Sequence, residues 1–201
     1  PIHKYQISRD KFIKCTEQEY YDRLSQKIEY FKNKNFETRL DFDKIKWLSA
    51  GNNRKKFLAK CKTRYARQLL RKLDNKRLIC FCNSIEQSET LSLGNGVIHS
   101  KIHKDTRDLT LNSFNTGNIN GLFVVGMLRE GVNLVNIKAG IIIQLDNQEK
   151  SLIQMVGRSL RSIAPEMYVL YVSNTQDETY VTTAFENIDK NLITLTTIEK
   201  L

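Results

Sequence analysis

The sequence predicts an α/β protein: a parallel sheet with helices on both faces, preceded by a basic and mainly helical segment. From residue 78 onward, short apolar runs alternate with helical stretches, the signature of repeated strand–helix units. Charge divides at the same place. Residues 1–77 hold 22 Lys and Arg against 9 Asp and Glu, whereas residues 78–201 hold 10 against 13. The division predicts a basic accessory segment at 1–76, an α/β domain at 77–201, and a polyanion as partner of the basic part.

In the basic segment, residues 3–8 read as a short strand. Residues 16–19, Thr-Glu-Gln-Glu, have the pattern of a helix capping box. Tyr20, Tyr21, Leu24, Ile28 and Phe31 then recur at helical spacing, which predicts a helix over 17–32 and assigns these aromatics to packing rather than base stacking. Residues 33–35 and 51–53 read as turns, with Phe42, Ile45 and Leu48 on one helical face between them. A stronger helix spans 54–73, where Leu58, Cys61, Tyr65, Leu69 and Leu73 form an apolar stripe. Around the stripe stand Arg54, Lys55, Lys56, Lys60, Lys62, Arg64, Arg67, Arg71 and Lys72, with no acid before Asp74. Like charges three and four apart repel. The stripe therefore reads either as a solvated face or as a set of sequence-independent phosphate contacts.

In the second part, Leu78 to Cys82 reads as a buried strand, with Ser84 able to cap the helix that follows. Residues 97–99 form a short strand, and Asp105 can cap a helix reaching about Asn115, with Leu109, Leu111 and Phe114 available for packing. Strands are expected at 122–125, 140–145 and 167–172, and a last helix at 177–188. Ligands of such sheets bind beyond the carboxyl ends of the strands. Asn83 and Ser84, His99 and Ser100, and Gly126 and Met127 all stand at those ends. His99 and His103 have the i, i+4 spacing of a metal pair, but no carboxylate or cysteine pattern completes it, and no metal site is assigned.

Residues 151–163 carry the most chemistry. Wound as a helix, Gln154, Arg158 and Arg161 fall within about 60° of one another. Leu152, Ile153, Val156, Leu160 and Ile163 occupy the opposite face. Guanidiniums make forked hydrogen bonds to phosphate or carboxylate. Gly157 lies beside the polar stripe, and glycine inside a helix costs roughly 1 kcal/mol relative to alanine. Close approach of a ligand or another backbone is a reason to accept that cost.

Gln154-x-x-Gly157-Arg158-x-x-Arg161 resembles motif VI of the superfamily 2 helicases and translocases. The resemblance extends upstream in the family's order. Residues 78–84 are similar to the strand and turn of motif IV. Residues 98–100, then Arg107, then Phe114-Asn115-Thr116-Gly117, resemble the histidine, arginine and phenylalanine-x-x-glycine run. Residues 122–125 followed by Glu130-Gly131-Val132-Asn133-Leu134 resemble motif V. The chain departs from the family at Gly126-Met127-Leu128, where many members carry threonine just after the strand.

The resemblance implies the C-terminal RecA-like domain of a two-domain motor, with ATP and Mg2+ held by a first RecA-like domain of the same polypeptide. Arg158 and Arg161 would reach the phosphates, Arg161 as the finger, with Gln154 and Gly157 beside them. Glu130, Gly131 and Asn133 would couple nucleotide to nucleic acid, Asn133 near the ribose. Asn83, Ser84, His99, Ser100, Gly126 and Met127 would face nucleic acid. DNA is expected over RNA, with Arg54, Lys55 and Lys56 adding phosphate contacts. For His99, a plain turn residue is the competing reading. A free-standing nucleic-acid-binding or adaptor domain without ATPase activity is the alternative for the whole chain.

The sequence also excludes. A phosphate loop requires G-x-x-x-x-G-K-[ST]; Gly121 to Gly126 has the glycine spacing, but Met127 and Leu128 follow. Asp177-Glu178 comes five residues after the apolar run 168–172, too late for an acidic metal site at a strand end. The chain alone is thus predicted inactive as an ATPase. No run of about 18 apolar residues occurs, and residues 1–10 lack a signal-peptide core. None of the four cysteines forms a C-x-x-C pair, which predicts reduced thiols, no zinc site and a cytoplasmic protein; the Asn- and Lys-rich composition points to an AT-rich genome, bacterial or viral in origin.

Overall fold

A computed structural model describes residues 1–8, 10–126, 134–145 and 165–201. The chain divides into two units, residues 1–61 and 62–201.

The first unit opens with strands β1 (Ile2–Ser8) and β2 (Lys11–Thr16), paired antiparallel with a register shift between Gln6 and Ser8. The second strand of this hairpin was not expected from sequence. Helix α1 (Glu17–Thr38) starts at the expected capping box. Thr16 Oγ1 accepts from Glu19 N at 3.2 Å, and Thr16 N donates to Glu19 Oε2 at 2.7 Å. Tyr20 stacks on Tyr5 with ring centroids 4.2 Å apart, and Phe57 meets Tyr20 edge-on at 5.0 Å. Tyr20 is thus a packing aromatic, as the sequence indicated.

Two expected turns are helical instead. Residues 33–35 continue α1, and residues 51–53 lie inside α2 (Asp41–Lys72). The chain reverses at Arg39, which adopts a left-handed φ of 53°. Thr38 Oγ1 fastens the corner by donating to Asp43 Oδ2 at 2.7 Å. Propensity lost to context here: asparagine and glycine disfavour helix by at most about 1 kcal/mol each, which the continuing helical period on either side outweighs.

The second unit is a five-stranded parallel sheet in the order β4-β5-β3-β6-β7. Its elements are β3 (Leu78–Cys82), α3 (Ile85–Ser92), β4 (Gly96–Ile98), α4 (Lys104–Asn115), β5 (Gly121–Val125), β6 (Ala139–Ile142), β7 (Glu166–Val169) and α5 (Gln176–Phe185). Two short 3-10 turns follow, Lys190–Leu192 and Ile198–Lys200. Side chains of a strand alternate between faces, and β3 shows the consequence. Leu78, Cys80 and Cys82 pack on one side with Ala66, Leu69 and Leu73 of α2, Leu91 of α3, Phe123 and Ile141. Ile79 and Phe81 pack on the other with Phe114 of α4, Leu122, Val124 and Ile142, flanked by Tyr180 and Val181 of α5. Helices therefore cover both faces, as predicted. Fully burying one such large apolar side chain contributes about 1.5–3 kcal/mol.

All four cysteines are free thiols. Burial pushes the Cys80 thiol well above its ordinary range, so it serves as a small core hydrophobe. Leu109 does not pack as expected: it stands exposed on the outer side of α4, while Phe114 is fully buried. That helix starts at Lys104, with Asp105 in its first turn rather than capping it.

A candidate nucleic-acid interface at the carboxyl rim of the sheet

The parallel register decides which residues meet. Cys82 pairs with Val125, and Ile98 pairs with Val124. The next residues along each strand, His99, Gly126 and Asn83, therefore follow one another across adjacent strand ends β4, β5 and β3. Three stretches separated in sequence form one rim.

Each is held by local chemistry. Ser84 has extended backbone and caps α3, its Oγ accepting from Gln87 N at 3.2 Å. Gln87 locks the same turn from within. Its Oε1 accepts from Asn83 N at 2.9 Å, and its Nε2 donates to Thr63 Oγ1 at 2.8 Å. The half-buried Asn83 side chain has no hydrogen bond among the described residues. His99 Nδ1 accepts from Lys101 N at 3.3 Å, and its Nε2 stands 4.0 Å from Glu89. His103 instead faces Asp105 at 3.4 Å, so the two histidines have separate partners. Ser100 is exposed. Gly126 has a φ of +84°, and a Cβ there would touch nothing within 4 Å. The requirement is backbone conformation, not space.

Phe114 and Gly117 end α4. Phe114 is core, and Gly117 turns the chain at φ +85°. Arg77 lies over the Phe114 ring at 4.2 Å and donates through Nη2 to the Phe114 carbonyl. Partial burial holds the Arg77 guanidinium below its ordinary pKa. Arg107 Nε lies 3.9 Å from Asp108.

Met127, Glu130, Gly131, Asn133, Gln154, Gly157, Arg158 and Arg161 lie outside the described residues. Arg54, Lys55 and Lys56 lie in the first unit. Arg54 donates to Ser25 Oγ at 3.1 Å and sits 5.6 Å from the Tyr21 ring, tying α2 to α1. Lys55 is half-buried and Lys56 exposed.

The basic stripe needs one correction. Lys62 is not among its outward-facing cations but is only 2% exposed. Its ammonium meets Asp177 Oδ2 at 2.7 Å and the Leu170 carbonyl at 3.2 Å. Asp177 also accepts from Gln144 Nε2 at 2.8 Å and from Val172 N at 3.2 Å. This network joins α2, the chain just beyond β6 and β7, and the start of α5. Its trace in the sequence is that Lys62 stands four, seven and eleven residues before Ala66, Leu69 and Leu73, on the apolar side.

The Gly121–Gly126 spacing belongs to strand structure. Gly121 opens β5, and its N–H donates to Asn95 Oδ1 at 2.9 Å, leaving no phosphate loop there.

The family model of the helicase conserved C-terminal domain matches residues 61–162, half of the chain. Among curated proteins, the chain is similar to the ATP-dependent RNA helicase DHH1 of Encephalitozoon cuniculi, 26% identical over 119 residues, covering 56% of this chain and 24% of that protein. It is also similar to the UvrABC system protein B of Prochlorococcus marinus, 33% identical over 85 residues, covering 40% of this chain and 12% of the relative. The chain thus spans a quarter or less of these relatives' lengths. Two solved structures share its fold. One is the Escherichia coli DEAD-box protein SrmB, solved bound to the regulator of ribonuclease activity A (TM-score 0.58, 15% identity, 70% of this chain and 86% of that one). The other is a yeast DEAD-box splicing factor (TM-score 0.57, 14% identity, 69% and 34%). With a doubly covered parallel sheet, motifs in family order and a match over half its length, the chain belongs to the helicase conserved C-terminal domain family, with a RecA-like fold.

Proposed function

We propose that this chain is the second motor domain of a nucleic-acid-dependent ATPase. The observation that carries the reading is the family match, whose span ends at residue 162 and so takes in Gln154, Gly157, Arg158 and Arg161. Residues 77–201 form the motor domain proper. Residues 1–76 are a basic accessory segment, of which the last helical stretch packs under the sheet through Ala66, Leu69 and Leu73.

ATP with Mg2+ would be held by a first RecA-like domain, since this chain has no phosphate loop of its own; when bound there, ATP supplies the phosphoryl group transferred to water. Arg158 and Arg161 would neutralise charge on that group, Arg161 as the finger, and Gln154 would orient the site. Fixed guanidiniums aimed at developing charge are worth about 10³ to 10⁵ in rate. Glu130, Gly131 and Asn133 would link the cleft to the rim of Asn83, Ser84, His99, Ser100, Gly126 and Met127, which would hold the nucleic-acid backbone. Arg54, Lys55 and Lys56 would add salt-sensitive phosphate contacts. The substrate class is nucleic acid; the earlier expectation of DNA over RNA has no support among relatives that include a named RNA helicase.

The test is Arg161→Ala in the full-length polypeptide. Nucleic-acid-stimulated ATP hydrolysis is lost, by about 10³ or more, while nucleic-acid binding is retained. Hydrolysis at the normal rate would remove the finger assignment. A full-length polypeptide with no phosphate loop and no ATPase activity would favour the adaptor reading instead.

A further inference from the structure

At the other end of the sheet, beside the amino ends of β3 and β5, lies a cavity of about 500 Å³, the size of a ligand site. Its lining includes Arg67 and Arg71 of α2, Asn118 and Asn120 of the α4–β5 loop, and Leu93 at the end of α3. Lys76 also lines it but is already spent on Glu166, with both carboxylate oxygens at 2.7 Å. Asp74 is the one carboxylate among the described lining residues.

Arg67 and Arg71 stand one helical turn apart, about 6 Å between Cβ atoms. Neither has an ion-pair or hydrogen-bond partner among the described residues, and Asn118 and Asn120 likewise have no side-chain hydrogen bonds there. Two adjacent guanidiniums repel, and their rigid forks match carboxylates in pairs. Asparagine amides both donate and accept, which suits a peptide main chain.

Leu93 adds an independent observation. It adopts a left-handed φ of 45°, a conformation that disfavours any residue but glycine, and is 77% exposed. The conformation is the left-handed cap that ends α3, followed by Gly94 at φ +88°, and it leaves an apolar side chain exposed on the cavity lining.

We propose that this cavity docks an acidic peptide segment of a partner protein. Arg67 and Arg71 take its carboxylates, Asn118 and Asn120 its main chain, and Leu93 an apolar side chain. Nucleic acid is the less favoured occupant, because the cavity opens at the rim opposite to Asn83, His99 and Gly126. The inference does not depend on the ATPase reading.

The experiment is fluorescence anisotropy of this chain with the labelled acetylated peptide EEDLLDE, against KKSLLKK as control and an unlabelled single-stranded oligonucleotide as competitor. EEDLLDE binds with salt-sensitive affinity, KKSLLKK does not, and the oligonucleotide fails to displace the acidic peptide. The double variant R67E/R71E weakens binding about tenfold or more. Leu93→Gly lowers affinity while raising the thermal unfolding midpoint, since it removes strain and an exposed contact together. The proposal is overturned if EEDLLDE does not bind, if R67E/R71E binds it unchanged, or if the oligonucleotide displaces it, which would make the cavity a phosphate site. Should R67E/R71E not fold, Leu93→Gly decides alone: a higher midpoint with unchanged affinity overturns the proposal.

Discussion

The Lys62 ammonium lies 2.7 Å from the Asp177 carboxylate, with each side chain only 3% exposed. Two ions are taken from water here, and each is stabilised by the other and by neutral donors and acceptors. Removing one partner leaves the other buried and uncompensated, which costs about 3–5 kcal/mol. Lys62→Met should therefore destabilise the second unit by that amount in urea unfolding. Adding Asp177→Asn should recover much of the loss, because the remaining amide carries no charge. A single-variant loss below about 1 kcal/mol would instead assign the pair the small value of an exposed bridge.

Arg77 offers a test of shape against charge. It lies flat over Phe114 and hydrogen-bonds to the same residue's carbonyl. Lysine keeps the charge but not the plane. Arg77→Lys should cost about 1 kcal/mol, and Phe114→Ala about 3–5 kcal/mol through the core cavity it leaves. Equal stability of Arg77→Lys and the parent in urea unfolding would mean that stacking contributes nothing.

Stability should fall at both ends of the pH scale through one cluster beside β7. Hydrogen bonds from Lys76 and Tyr168 hold the Glu166 carboxyl below its ordinary 4.5. A lowered carboxylate stabilises above its unfolded pKa, and the contribution is lost as pH falls through the folded one. Tyr168 runs the other way. Burial, and then the Glu166 carboxylate, push its hydroxyl from 10.0 up to about 12. A raised tyrosine stabilises fully below pH about 10 and loses that contribution as pH climbs toward 12. Thermal midpoints recorded against pH should show an alkaline decline that Tyr168→Phe flattens. An unchanged decline in that variant would place its origin elsewhere.

The rim can be divided into fold and ligand contributions. Ser84→Ala removes a cap and should cost about 1 kcal/mol in stability. Asn83→Ala breaks no hydrogen bond among the described residues and should leave stability nearly unchanged while weakening nucleic-acid binding. Unfolding curves paired with nucleic-acid titrations separate the two. An Asn83→Ala protein that binds normally would remove Asn83 from the interface.

Much of the second unit was legible because local pattern and global fold agree there. The five strands fell where apolar runs fell, within a residue or three at each end, and the alternation along residues 78–82 matches the two faces that β3 presents. The rim was legible for the same reason: a parallel sheet places successive strand ends on one edge. The front unit was harder to read. Asparagines at 33–35 and the Gly51-Asn52-Asn53 run carry turn signals of about 1 kcal/mol or less per residue, and α1 and α2 run straight through them. β2 was missed because Lys11, Lys14 and Cys15 hide its alternation.

The sequence by itself determined the class of sheet, the family motifs and their order, since these depend on residue types at short spacing. Only the tertiary structure decided what Lys62 is for. Helical period puts it on the apolar side of α2, but a buried ammonium is tolerable only against a carboxylate, and that carboxylate stands 115 residues away. The same holds for Arg67 and Arg71, which have no ion-pair partner among the described residues. One charged helix in the sequence becomes a core ion pair and a cavity wall in the fold, because electrostatic energy depends on burial and on partners that chain order does not reveal.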